Sequence, residues 1–372
     1  MTDVSAEPRV CGVCGEVARP DDNWCEACGA DLAPAALEIP GDADATPAFV
    51  ATGPCVSCGA PVEDITDDGW CQQCGTKQPE PGDHVVDDLG ALAVVCDRGR
   101  KHGANEDAGA IGRDRDTVVL VVCDGVSSTD QSHHASQAAA SVAAEVLLDG
   151  EDAIGARMVR AAAQAQNAVV EATPAASDQP PSCTFVAALA APELDSGVGA
   201  TAITVAWLGD SRAYWIDDEG ARQLTRDHTW AIEQRTIGDL TEDEIASDPR
   251  AHSITRWLGA DAIDVVPEIV TTTVDASGLL LVCSDGLWNY ASEPNAMATL
   301  VAEHDADGPT PLELSQRLVA AANELGGHDN VTAAIARFPL VEETVTVTGS
   351  DPAALDVDSH PTTSEPTKSN GS

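Results

Sequence analysis

The chain has 372 residues, 62 acidic against 19 basic, for a formal net charge of −43 and a pI near 4.1; only three residues are lysine. Such a surface repels phosphate backbones and anionic headgroups, which argues against nucleic-acid and membrane partners. The N-terminal MTDVSAEPRV is acidic and lacks an apolar core, and no window is apolar enough for long enough to span a bilayer, so the sequence reads as a soluble, cytoplasmic protein.

Eight of the twelve cysteines fall in the first eighty residues, as four C-x-x-C-G knuckles in two repeats, CGVCGEVARPDDNWCEACG and CVSCGAPVEDITDDGWCQQCG. Four thiolates at this spacing suit a tetrahedral zinc ion, and segments this short have too little core to fold without one. Cys11, Cys14, Cys25 and Cys28 are therefore expected to hold one zinc, and Cys55, Cys58, Cys71 and Cys74 a second. The glycine after each second cysteine permits the tight turn that aims amides at sulfur. Redox-active C-x-x-C pairs are the competing reading, disfavoured because no βαβ pattern surrounds them. Both repeats resemble short zinc ribbons, with Trp24 and Trp70 expected to pack over the sites. The organisation is then ribbon 1 over 1–34, a linker over 35–52, ribbon 2 over 53–78, and a second Pro/Gly/Asp-rich linker over 79–88.

A large domain follows over 89–340. ALAVVC, TVVLVVC, TFVAALAA, TAITVAWLG, RAYWID, VPEIVTTTV, GLLLVCS and VTAAIARF read as strands. HHASQAAASVAAEVLLDG, AIGARMVRAAAQAQNAVVEAT and PLELSQRLVAAANELGG read as amphipathic helices. Strands follow one another directly more often than through helices, which predicts an α+β fold of antiparallel sheets covered by helices. Cys96, Cys123, Cys183 and Cys283 sit singly in apolar runs as buried small hydrophobes. The tail over 341–372 lacks apolar periodicity and reads as disordered.

Five segments each place a short carboxylate beside glycine, serine or asparagine: Glu106-Asp107 in KHGANEDAGA, Asp124 in CDGVSS, Asp210 in LGDSRAYW, Asp285 in CSDGLW and Asp329 in GGHDNVT. One Asp-Gly alone is an ordinary turn. Five in one domain, if they converge, repel one another unless divalent cations intervene, and hard oxygen donors suit magnesium or manganese. Each Asp-Gly at a strand exit would carry a ligand to a shared cleft, the glycine letting its own carbonyl or a water reach the ion.

In order, DRGRKHGANEDA, VVCDGV, SCT, LGDSRAY, LTRDHTW, LLLVCSDGLW and GGHDNVT resemble the motifs of the type 2C, metal-dependent Ser/Thr protein phosphatases, over essentially all of 90–339. The resemblance implies a four-layer α-β-β-α sandwich with a binuclear Mn or Mg site at one end. It implies that Asp124 bridges both ions, that the Gly125 carbonyl binds one, and that Asp285 and Asp329 hold the other. Glu106 and Asp107 would complete the inner and water shells, and Asp210 with Asp285 would hold a third, weaker ion. The stretch from Ala231 to Gly259 matches the family's mobile flap. A hydroxide bridging the ions would attack phosphorus in line, so no cysteine nucleophile is needed.

Two positions depart from the family pattern. His102 stands where an arginine usually clamps the substrate phosphate, with Arg98, Arg100 and Lys101 as alternative cations; Ser127-Ser128 replaces a glycine pair. His133-His134 reads as a solvated helix start rather than a metal pair. The expected substrates are phosphoproteins made by Ser/Thr kinases, with the ribbons docking a protein partner. The competing readings are a catalytically weak phosphatase-like scaffold whose ribbons bind a partner, and a phosphatase for a small phosphorylated metabolite.

Overall fold

The computed structural model describes residues 9–10, 17–18 and 53–340, apart from Asp130, Glu151, residues 175–176, residues 194–199 and Ala276. Cys11, Cys14, Cys25, Cys28, Trp24, the first linker and the tail lie outside the described residues; of ribbon 1, only the pairing of Arg9–Val10 with Val17–Ala18 is described.

Eleven strands build two sheets: β1 His84–Asp88, β2 Leu92–Asp97, β3 Ala108–Asp114, β4 Thr117–Cys123, β5 Phe185–Pro192, β6 Thr201–Leu208, β7 Arg212–Asp217, β8 Gly220–Gln223, β9 Glu268–Val274, β10 Gly278–Cys283 and β11 Val331–Phe338. Six of them run in the order β8-β7-β10-β11-β2-β1, and the other five in the order β9-β6-β5-β4-β3. Every pairing within these sheets is antiparallel. The helices are α1 Ser132–Leu148, α2 Ile154–Ala172, α3 Trp230–Ile237, α4 Glu242–Ser247, α5 Asp285–Trp288, α6 Pro294–Asp305 and α7 Pro311–Leu325.

Period-two alternation assigns each strand's side chains to two cores. On β4, Val118, Leu120 and Val122 meet Leu92, Val94 and Cys96 of the other sheet, filling the space between the sheets. Val119, Val121 and Cys123 face the opposite way, onto α1 and α2. Those helices present alanines 135, 139, 143, 161 and 165, all fully buried, which lets them approach the sheet and each other closely. The outer face of the six-stranded sheet packs on Met297 and Val301 of α6 and Leu314 and Leu318 of α7. The result is the expected α-β-β-α sandwich.

All eight strands expected from apolar runs are present, and three more join them. One changes the domain boundary. Residues 79–88 are expected as a linker, yet His84–Asp88 is the edge strand of the six-stranded sheet, paired with β2 from His84↔Asp97 to Asp88↔Ala93. All five of its residues are exposed, so it carries no apolar alternation to betray it. The flap region folds as α3 and α4 around Ala231, Ile245 and Ala251. A reciprocal Thr241–Glu244 capping box starts α4.

Candidate active site

Antiparallel register brings the acids to one end of the sandwich. Cys123 at the exit of β4 pairs with Ala108 at the entry of β3, so Asp124 and Glu106-Asp107 emerge together. Cys283 pairs with Arg212 and Ala333, so Asp285, Asp210 and Asp329 emerge together on the other sheet. The sheets are joined at this end by Asp107, whose Oδ2 accepts hydrogen bonds from Ser284 Oγ and Thr332 Oγ1, each at 2.7 Å. The glycines have a packing reason. A Cβ on Gly125 would stand 2.6 Å from the Glu106 carbonyl oxygen, and one on Gly286 would overlap the Asn330 carbonyl. Backbone crowding at the strand exits thus demands the glycine of each Asp-Gly pair.

Burial acts strongly on these carboxylates. It pushes Asp107, only 4 % exposed, up to about 7, against the lowering effect of its two hydroxyl donors. Asp210 rises to about 7 through burial and then the charge of Asp227. Asp124 and Asp285 rise well above the carboxylate range, first by burial and then by mutual repulsion with the neighbouring aspartates. Asp107 Oδ1 and Asp285 Oδ1 are buried with no hydrogen-bond partner. Buried, unpartnered carboxylate oxygens surrounded by other carboxylates are what a divalent cation would satisfy, and an all-oxygen donor set fits magnesium or manganese. The acids are spread across the cleft rather than closed on one point. Among the described residues, only four cysteines bring three or more donor atoms mutually within 4.8 Å.

His102 lies among the acids, with Nε2 3.2 Å from Asp329 Oδ1 and Nδ1 3.9 Å from Glu106 Oε2. Arg98 turns away to Asp83, at 3.2 Å. Glu106 is held at both carboxylate oxygens, Oε1 by Ser132 Oγ at 2.6 Å and Oε2 by Ser127 Oγ at 2.7 Å. Ser127, a departure from the family's glycine, thus has a partner in the site. His133, half-buried at the start of α1, has its imidazole pKa lowered by burial, whereas His134 is exposed.

Sequence reasoning singled out the acids and missed the groups that hold them. These are Ser127, Ser132, Ser284 and Thr332, together with Asn330, whose Oδ1 accepts the Glu106 amide at 2.8 Å. A buried brace backs the site: the Arg212 guanidinium pairs with Asp227 at 2.7 Å and lies 3.6 Å over the Trp288 ring. Trp288 Nε1 in turn donates to the Asp210 carbonyl at 2.9 Å.

In ribbon 2, Cys55 Sγ is 3.6 Å from Cys74 Sγ and Cys58 Sγ is 3.7 Å from Cys71 Sγ, all four converging. Gly59 and Gly75 adopt φ of 72° and 71°, the left-handed turn expected of the knuckles. Backbone amides of its knuckle pull the Cys55 thiol down to about 6, while the other sulfurs of the cluster push the Cys58 thiol up. Trp70 is 45 % exposed, so about half of it is left open to solvent. Cys96, Cys123, Cys183 and Cys283 are buried, and burial pushes the Cys96 thiol up to about 12, which suits packing rather than nucleophilic attack.

The sequence profile described as Protein phosphatase 2C matches residues 98–320, and one described as Double zinc ribbon matches residues 11–75. The serine/threonine phosphatase stp of Listeria innocua is 26% identical over 260 residues, covering 66% of this chain and 95% of that protein. The PPM Ser-Thr phosphatase MsPP of Mycobacterium smegmatis, solved with cacodylate, is 28% identical with a TM-score of 0.50, covering 66% of this chain and 97% of that one. The Streptococcus agalactiae serine/threonine phosphatase shares the fold at a TM-score of 0.52 and 23% identity, covering 68% of this chain and 98% of its own. The phosphatase profile spans more than half of the sequence and includes every segment of the acidic cleft except the last, so the chain belongs to the protein phosphatase 2C family of metal-dependent serine/threonine phosphatases.

Proposed function

We propose that the chain hydrolyses phosphoserine and phosphothreonine in proteins, using two divalent manganese or magnesium ions held by Asp107, Asp124, Asp285, Asp329 and the Gly125 carbonyl. Glu106 would complete the water shell, and Asp210 would serve a third ion. The observation that carries the reading is the delivery of carboxylates from five segments to one end of the sandwich, with Asp107 Oδ1 and Asp285 Oδ1 buried and unpartnered. When bound, the cations would neutralise the phosphate oxygens and supply a water acidified toward neutral pH.

The protein's own groups do the positioning. Ser284 and Thr332 hold Asp107 by one oxygen and leave the other free. Ser127 and Ser132 fix Glu106 in one orientation. His102, beside Asp329, is the side chain placed to donate a ring N–H to the substrate phosphate. The two ribbons carry one structural zinc each and serve to dock a protein partner. Exposed Val56, Val62 and Trp70 support that role for ribbon 2.

Asp285→Asn tests the site. Removing one charged ligand from the cleft is expected to abolish manganese-dependent turnover of a phosphothreonine peptide while leaving the thermal melt intact. Activity kept within a few-fold at saturating manganese would overturn the assignment. Faster turnover of sugar phosphates than of the peptide by the unmodified chain would point to the metabolite reading instead.

A further inference from the structure

We propose that residues 77–83, which run from the end of ribbon 2 into the segment expected as a linker, position the active-site loop 98–107, so that ribbon 2 is part of the working enzyme and not only a docking module. The inference rests on the phosphatase reading above. It begins with the contacts that cross a segment expected to be a bare linker.

Lys77, one of three lysines in the chain, donates from Nζ to the Gly103 carbonyl at 3.0 Å, one residue from His102, and pairs with Glu80 at 2.9 Å. Asn105 Nδ2 donates to the Gly82 carbonyl at 3.1 Å. The Arg98 amide donates to the Asp83 carbonyl at 2.8 Å, and the Arg98 guanidinium lies 3.2 Å from the Asp83 carboxylate. Asn105 and Asp83 are each 8 % exposed, so these bonds are shielded from competing water.

The other end of this strap is fixed inside the ribbon. Gln78, 4 % exposed, accepts from the Val56 amide at 2.9 Å and donates to Cys55 Sγ at 3.3 Å. A continuous run of short contacts therefore leads from a zinc-site sulfur to the loop that carries His102, Glu106 and Asp107. On its far side the same loop is held by Asn330 Nδ2, which donates to the carbonyls of Arg98 at 2.8 Å and Ala104 at 3.0 Å. The loop is clamped between the strap and Asn330. Freed from the strap, it would keep its attachments at Asp107 and Asn330 and the His102–Asp329 contact, but lose the restraint at Gly103 and Asn105.

The test uses the full chain carrying Lys77→Met or Asp83→Asn. Each is expected to speed amide exchange across residues 99–105. Each should also raise KM for a phosphothreonine peptide by about tenfold, the equivalent of one lost charge-assisted contact of about 1.4 kcal/mol, with kcat changed by less than about twofold. Zinc content should be unchanged, and Lys77→Arg should restore both readouts. Should Lys77→Met shed zinc, Asp83→Asn, which lies outside the ribbon, decides the matter. Exchange and KM both unchanged in Asp83→Asn would overturn the proposal. Exchange is measured without substrate, so a loosened loop in a protein that hydrolyses no phosphopeptide would sink the functional reading and leave the mechanical link standing.

Discussion

Asp107 is the residue on which the two sheets and the acidic cleft depend together. Its Oδ2 takes two hydroxyl donors while Oδ1 has none. Thr332→Val keeps the shape of the side chain and removes one donor, leaving a buried carboxylate less satisfied. We expect a loss of about 1–3 kcal/mol in urea unfolding; a change below about 0.5 kcal/mol would show that Ser284 alone suffices. The raised acids also fix how the ion-free protein responds to pH. Asp107 and Asp210 titrate near 7 when folded, against about 4 when unfolded. Across that window the unfolded chain gives up its protons first, so stability is greatest at the acid end and declines as pH rises through 7. Protein dialysed free of weakly held ions, with its zinc retained, should melt at progressively lower temperature from pH 5 to pH 8. Added manganese should restore most at pH 8, where protons no longer compete for the carboxylates. A melting temperature that climbs over this range without manganese would contradict the burial of these groups.

At the scale of elements, what the sequence made legible follows burial. The eight strands found by their apolar runs are mostly central or face two cores at once, as Thr117–Cys123 does, so nearly every residue is apolar. His84–Asp88 is exposed throughout, Ala108–Asp114 has Ile111 as its one large apolar residue, and Gly220–Gln223 has no buried residue, so none announces a strand. Helix α6 was missed for a like reason, with only Met297 and Val301 buried. The site divides the same way. Asp-Gly at a strand exit is conspicuous because a charge there needs compensation. A serine or threonine near an acid, such as Ser284 or Thr332, looks like any cap until the fold brings it to Asp107. The edge strand has a consequence for where the catalytic domain begins. A chain starting at Leu89 loses the five-residue ladder to β2 and exposes that strand's edge, whereas one starting at Pro79 keeps it. The shorter chain is expected to melt several degrees lower and to elute partly as aggregate in size exclusion. Equal melting of the two would mean that the sheet does not need its sixth strand.

For the whole molecule the governing quantity is charge, with 62 acidic side chains against 19 basic ones. No helix among the described residues is long and apolar enough to cross a membrane. Most of the acids among the described residues face water, where their repulsion reaches about 8 Å at 0.15 M salt and about 3 Å at 1 M. The field this creates opposes the approach of a doubly charged phosphate, and bound cations and the few positive side chains near the cleft, Lys77 among them, act against it locally. Residues flanking the phosphate on a substrate must therefore matter through their charge even where they touch nothing. A phosphothreonine peptide with arginine and lysine flanks should be turned over with a kcat/KM about tenfold or more above that of a peptide with acidic flanks at 0.05 M salt, since steering of this kind changes encounter rates by about 10 to 1,000 fold. Raising salt to 1 M should bring the two values to within about twofold, chiefly by improving the acidic peptide. The ion-pairing side chains of the described residues are largely at the surface, so the melting temperature should rise over the same range as repulsion is screened faster than attraction is lost. A peptide preference that persists unchanged at 1 M would mean that flanking residues are read by direct contact, and would move the source of specificity from the field of the molecule to the walls of the cleft.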